Sequence, residues 1–181
     1  RKARSVSQFV NRSRELELLR AAAESSALGG RTVCLTSDPG IGKSRLVHEF
    51  VQELELEGWK LIEAECSPNL QGSPFAALKA LLLSILNPAA ANRDESHADA
   101  RAGLPQILRL AVDAVLDIPI LDGQWDQLEP QSRGRAISVA SCAIVESLAR
   151  QQRTVLLIED LHWVDRASDA VMAALASLKT R

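Results

Sequence analysis

Residues 37–44, Ser-Asp-Pro-Gly-Ile-Gly-Lys-Ser, combine small residues, a lysine and a hydroxyl at a spacing suited to holding phosphate. The phosphate-loop pattern, Gly-x-x-x-x-Gly-Lys-Ser/Thr between a strand and a helix, requires backbone N–H groups that turn inward around an anion. Gly40 and Gly42 give the backbone that freedom, and the start of the following helix adds partial positive charge. Lys43 would then reach the outer phosphates, and the Ser44 hydroxyl would coordinate Mg²⁺.

The loop departs from this pattern at its first position, where Ser37 replaces glycine. A positive φ there would cost a non-glycine residue about 1 kcal/mol. The alternative interpretation is a glycine-rich turn that binds nothing. The flanking sequence favours phosphate binding, because a β-rich run that we expect to be a buried strand, Arg31–Thr36, precedes the loop and an amphipathic helix follows it.

Two adjacent carboxylates, Glu159 and Asp160, follow the apolar run 155–158. The run predicts a central parallel strand buried on both faces, and ligands of open α/β sheets bind beyond the carboxyl ends of strands. One carboxylate can hold Mg²⁺, and the other can orient or deprotonate an attacking water. Because successive side chains in a strand point in opposite directions, Glu159 and Asp160 are expected to have different roles. The alternative is an acidic strand end that merely starts a loop. Asp165, further on, is expected to cap the last helix.

The elements that would position these groups alternate between strand and helix. The predicted strands are residues 31–36, 59–65 and 154–158, and the predicted helices are 14–28, 43–57, 75–86, 104–116, a long helix ending near 151, and 166–179. Such alternation indicates an α/β architecture with a parallel sheet. The segment 118–130 contains prolines and a glycine and is predicted to be irregular.

The composition indicates one ordinary globular domain and excludes several function classes. The chain has 181 residues, 46% hydrophobic and 24% charged, with a net charge of -2. This balance gives no basic field to attract nucleic acid, and no apolar run approaches the roughly 20 residues that span a membrane. Three scattered cysteines fit a reducing cytoplasm and are too few for a disulfide framework or a metal site.

Residues 1–8 resemble a linker from an upstream region, and we expect the chain to be part of a longer protein.

Four segments together resemble the signal-transduction P-loop ATPases related to the AAA+ class. They are residues 9–12 (FVNR), 38–46 (DPGIGKSRL), 65–68 (ECSP) and the strand end 159–165 (EDLHWVD). More narrowly, they are similar to the ATPase module attached to bacterial class III adenylate/guanylate cyclases and to modules of large LuxR-type transcriptional regulators.

This resemblance implies ATP and Mg²⁺ as cofactors and a role for each matching residue. Glu159 and Ser44 would hold Mg²⁺, and Asp160 would direct the attacking water. Val10 and Arg12 would lie near the adenine. The loop residues that would hold the nucleotide phosphates are Pro39, Gly40, Ile41, Gly42, Lys43 and Ser44.

The resemblance also implies a fold and a function. Residues 9–181 would form the N-terminal portion of a P-loop NTPase domain, a parallel sheet flanked by helices that stops before the fourth and fifth strands and the lid. Its first strand would then lack neighbours on both sides. The function implied is an ATP-binding, slowly hydrolysing switch that regulates an output domain outside these residues, with a cyclase favoured over a helix-turn-helix. The alternative is a non-catalytic nucleotide-binding scaffold for protein interaction. Self-association of the chain is a separate expectation.

Overall fold

The computed structural model of the chain describes residues 12–38, 40–70, 72–86, 101 and 103–178. Helices and strands follow one another in a mixed α/β order: α1 Ser13–Ser25, α2 Lys43–Leu56, β1 Lys60–Glu65, α3 Ala76–Leu86, α4 Gln106–Val115, α5 Gly123–Gln127, α6 Pro130–Gln151, β2 Thr154–Glu159 and α7 Arg166–Ala176. Short 3-10 turns span Ser26–Leu28, Pro68–Leu70 and Leu161–Trp163.

The sheet consists of β1 and β2, which pair in parallel from Lys60 opposite Thr154 to Glu65 opposite Glu159. Parallel neighbours need a long crossover connection, and the helices between the two strands provide it. Because the strands run in the same direction, Glu65 and Glu159 end at the same edge of the sheet. The α/β class and the parallel pairing predicted from the sequence are confirmed for these two strands.

Each face of this sheet packs against helices. On one face, Ile62 of β1 and Ile158 of β2 join the main core. Its largest fully buried hydrophobic side chains come from α3, α4 and α6: Leu78, Leu81, Leu82, Ile85, Val112 and Ile144. On the other face, Val155 contributes to a smaller cluster formed by α1 and α2: Leu16, Leu19, Leu46, Phe50 and Leu54. Successive strand side chains point to opposite faces, and the two clusters follow from that alternation.

The predicted first strand, Arg31–Thr36, is wrong: residues 31–38 form neither helix nor strand. The segment is exposed except for Leu35, which is half-buried against the smaller cluster. Its backbone N–H and C=O groups have no neighbouring strand among the described residues, and β propensity without a partner does not make a strand. The Thr32 hydroxyl instead donates to the carbonyl of Ala176 at 2.8 Å, which attaches the segment to the end of α7.

The prediction that residues 155–158 form a central strand buried on both faces is also wrong. Within the part of the chain that the structure describes, β2 has one neighbour, and residues 154–158 are only half-buried. An apolar run fits a strand with neighbours on both sides, but the sequence cannot show whether those neighbours are present.

Most helix positions agree with the sequence patterns, and one short helix lies in the segment predicted to be irregular. This helix, α5, begins where the Asp122 side chain accepts a hydrogen bond from the N–H of Gln124, and its Trp125 is buried in the main core. Of the helices that the structure describes, none has both the length and the apolar character needed to span a bilayer.

Candidate functional site

The phosphate loop has the backbone conformation that its two glycines were expected to allow. Gly40 and Gly42 have φ angles of 82° and 83°, in the left-handed region that favours glycine. A Cβ atom added at either position would meet nothing within 4 Å, so conformation and not crowding is the reason for glycine here. Ser37 is not among the described residues with positive φ, so the replacement of the first loop glycine does not incur backbone strain. Pro39 lies outside the described residues.

The start of α2 leaves hydrogen-bond donors and a positive charge available to an anion. Gly42 is the N-cap, and no side chain caps the helix. The first two helical residues, Lys43 and Ser44, are exposed, and Lys43 forms no ion pair with a described residue. Uncapped N–H groups, the helix dipole and a lysine together fit a phosphate group.

Arg12, which the resemblance places near adenine, contacts the phosphate loop. Its Nη2 donates to the carbonyl of Ile41 at 2.9 Å, and its Nη1 donates to Glu15 Oε1 at 2.7 Å. The hydrogen bond from Arg12 is the main cause of a lowered pKa at Glu15, which therefore remains a carboxylate. Val10, the other residue of the expected adenine contact, lies outside the described residues.

The two candidate carboxylates differ in backbone conformation. Glu159 ends β2 with an exposed side chain, and its carbonyl accepts a hydrogen bond from the N–H of Cys66 at 3.0 Å. Asp160 lies outside the strand, in the left-handed region with φ 53°, and begins the turn Leu161–Trp163. The alternation rule used to separate the two side chains therefore does not apply to Asp160. His162 Nδ1 lies 3.9 Å from Asp160 Oδ1.

Asp165, expected to cap the last helix, holds the starts of two helices. It accepts from the N–H groups of Ala167 and Ser168 in α7 at 3.1 and 2.9 Å, and from the Ser168 hydroxyl at 2.6 Å. It also accepts from the N–H groups of Phe75 and Ala77, where α3 begins, at 2.9 and 3.2 Å. The predicted cap is confirmed, and the link to α3 is an addition that the sequence did not indicate.

The pKa of Asp165 reflects two opposing effects. Burial is the largest, and it alone would raise the pKa, but the hydrogen bonds from Ser168, Ala77 and Phe75 together outweigh it, so the pKa is lowered. The unfolded chain then binds the proton more readily than the folded chain does. The carboxylate stabilises the fold above its unfolded pKa of about 3.9, and that stabilisation is lost as the pH falls through the lower folded pKa.

Replacing Asp165 by alanine is expected to lower the free energy of unfolding by about 2 to 4 kcal/mol, because several buried donors lose their acceptor. Urea unfolding followed by circular dichroism measures this change. The matched control is Asp169→Ala, which removes an exposed carboxylate from the same first turn of α7 and should cost less than about 1 kcal/mol. Equal losses in the two variants would show that the buried hydrogen bonds do not stabilise the fold.

The site is only partly assembled by contacts within the described residues. Arg12 is joined to the loop through Ile41, whereas no hydrogen bond or ion pair joins residues 40–44 to Glu159 or Asp160. The loop contact of Arg12 spans 29 positions in sequence, and the contact between Asp165 and Phe75 spans 90. No local pattern predicts contacts between residues so far apart in sequence. The position of Arg12 just before a helix, in a chain with a phosphate-loop pattern, was the one signal that could have indicated its contact with the loop.

Comparisons with known proteins assign the chain to a family. Residues 8–181 match the family described as the AAA ATPase domain, which implies nucleotide binding and hydrolysis. An uncharacterized protein of Rhizobium meliloti (strain 1021) is 26% identical over 179 residues, which cover 94% of this chain and 17% of the relative. No solved structure matches the chain. The family match extends over almost the entire sequence, and the chain therefore belongs to the AAA ATPase domain family.

Proposed function

We propose that this chain binds Mg-ATP through residues 39–44 and hydrolyses it slowly, as a switch module of a larger signalling protein. The observation that supports the phosphate site best is the loop itself. Gly40 and Gly42 adopt left-handed conformations immediately before an uncapped helix whose first residue is an exposed lysine, Lys43.

Each residue of the proposed site has one task. Backbone N–H groups of the loop and the Lys43 ammonium would hold the phosphate oxygens, and their positive charge favours the anion. Ser44 and Glu159 would hold Mg²⁺, which neutralises phosphate charge when bound. Asp160 would accept a hydrogen bond from the attacking water and so orient it. Its exposed carboxylate is accessible to such a water.

A second candidate function is a nucleotide-binding scaffold that does not hydrolyse ATP and mediates protein interaction. One observation favours it: no hydrogen bond or ion pair holds Glu159 or Asp160 against the loop residues 40–44. Hydrolysis needs the water-orienting carboxylate within hydrogen-bond reach of the reacting group, directly or through one water. Binding of the phosphates does not need it.

The output domain that such a switch would control is proposed to lie outside these residues. By resemblance we propose a cyclase, with a helix-turn-helix of a LuxR-type regulator as the next choice, in a cytoplasmic protein. The chain spans 17% of the length of its Rhizobium meliloti relative, which leaves room in a protein of that size for further domains.

Calorimetry and a phosphate-release assay on the full-length protein test the proposal. We expect Mg-ATP to bind with micromolar to millimolar affinity and phosphate to appear slowly. Binding without phosphate release above buffer over several hours would favour the scaffold. Absence of binding would refute the proposed phosphate site.

A further inference from the structure

The hydrogen bond from Arg12 to the carbonyl of Ile41 fixes one peptide group of the phosphate loop. A trans peptide is planar, so its C=O and the N–H of the next residue point in opposite directions. With the Ile41 carbonyl held by Arg12, the N–H of Gly42 is directed away from the arginine. Arg12 thus sets the direction of a backbone donor in the loop that is proposed to hold phosphate.

This peptide has few other restraints. It lies between Ile41 and Gly42, and both Gly42 and the nearby Gly40 lack a Cβ atom and have open space around them. Glycine backbones lose the most conformational freedom when they are ordered. An external hydrogen bond that orders the loop before phosphate arrives would therefore increase the affinity for phosphate.

Glu15 holds Arg12 in the orientation that this role needs. One end of the guanidinium, Nη1, lies 2.7 Å from Glu15 Oε1, and the other end, Nη2, lies 2.9 Å from the Ile41 oxygen. The guanidinium is planar and rigid, so an anchor at one end restrains the other. A lysine carries its donors on one nitrogen at the end of a flexible stem, so it lacks this rigid link between the two acceptors.

We propose that Arg12 is a positioning residue that preorganises the phosphate loop through the Ile41–Gly42 peptide and acts on the phosphates, not on the adenine. The proposal rests on the proposed function as a nucleotide-binding domain. It differs from the role that the resemblance implies, because a residue that acts through the loop affects every ligand with a phosphate chain.

The chain offers a matched control for this contact. Arg20 forms two hydrogen bonds with Glu53 at 2.8 and 2.6 Å, and these tie α1 to α2 without touching the loop. Arg20→Ala therefore removes an arginine–carboxylate contact between α1 and α2 and leaves the contact of Arg12 with the loop in place. An effect of Arg12→Ala that Arg20→Ala does not share belongs to the loop contact.

The first measurement is calorimetry of the full-length protein with Mg-ATP, Mg-GTP and inorganic tripolyphosphate. Arg12→Ala should weaken the binding of all three ligands by a similar factor of about ten, the loss expected from one charge-assisted hydrogen bond. Arg12→Lys should recover only part of that loss, and Arg20→Ala should change affinity less than about twofold. Weakening of ATP alone would show an adenine contact, and equal effects of Arg12→Ala and Arg20→Ala would show helix docking; either result overturns the proposal.

The second measurement needs no nucleotide. Hydrogen exchange of a peptide that covers residues 38–46 should become faster in Arg12→Ala and stay unchanged in Arg20→Ala. Unchanged exchange in Arg12→Ala would overturn the proposal even if nucleotide binds normally. Failure of the unaltered protein to bind any of the three ligands would instead refute the proposed function, so the two failures are distinguishable.

Discussion

Lys43→Ala is expected to lower the affinity for Mg-ATP by about 10- to 100-fold, because it removes a charge-assisted contact to the outer phosphates. Lys43 is exposed in the first turn of α2 and forms no ion pair with any residue that the structure describes. Its removal should therefore weaken binding and leave the fold intact. Calorimetry gives the affinity, and thermal unfolding without nucleotide shows whether stability has changed.

The control for Lys43→Ala is Lys79→Ala, which removes a lysine from α3 that pairs with Asp117. This surface ion pair should contribute at most about 1 kcal/mol to stability and nothing to nucleotide binding. Unchanged ATP affinity in Lys43→Ala would contradict the assignment of residues 39–44 as a phosphate loop. A loss of affinity in both variants would show a general charge effect and not a site.

Asp160→Asn is expected to slow ATP hydrolysis at least about tenfold and to leave ATP affinity nearly unchanged, because a neutral amide accepts the hydrogen bond that orients the attacking water more weakly than a carboxylate does and cannot take up its proton. Asparagine tolerates the left-handed conformation that Asp160 adopts at φ 53°, so the backbone of the turn should not move. Single-turnover phosphate release measures the chemical step, and calorimetry measures binding.

Asp117→Asn is a closely matched control for this substitution. Asp117 is also an exposed aspartate in the left-handed region, with φ 56°, and it pairs with Lys79 instead of following a strand. Hydrolysis in Asp117→Asn should equal that of the unaltered protein. A normal hydrolysis rate in Asp160→Asn would remove Asp160 from the proposed mechanism, and Glu159 would be the next residue to test.

The sequence predicted the elements whose formation depends on local signals. The apolar stripe of α2, the cap at Asp165 and the apolar run of β2 each lie within a few neighbouring residues, and the structure has these elements close to the predicted positions. The backbone freedom of Gly40 and Gly42 was also predictable, because the phosphate-loop pattern specifies where the chain must turn.

The features that the sequence did not predict depend on distant partners. A strand at Arg31–Thr36 needs a neighbour that local propensity cannot supply, and the described residues provide none. The left-handed conformation of Asp160 ends a strand that the alternation rule would have continued. The sequence indicated a role for both Arg12 and Asp165, but not their contacts with Ile41 and Phe75, which depend on how whole helices pack.

The hydrogen bonds of Asp165 have a consequence for local unfolding. Ser168 donates its hydroxyl to Asp165 and accepts the N–H of Leu78, so the first turns of α3 and α7 share one buried polar network. If the start of α7 frays, the N–H groups of Phe75, Ala77 and Leu78 lose their acceptors, and if the start of α3 frays, the buried oxygens of Asp165 and Ser168 lose donors; both losses are costly in an apolar environment. We therefore expect the two helix starts to open together as one cooperative unit, with the same opening free energy in hydrogen exchange.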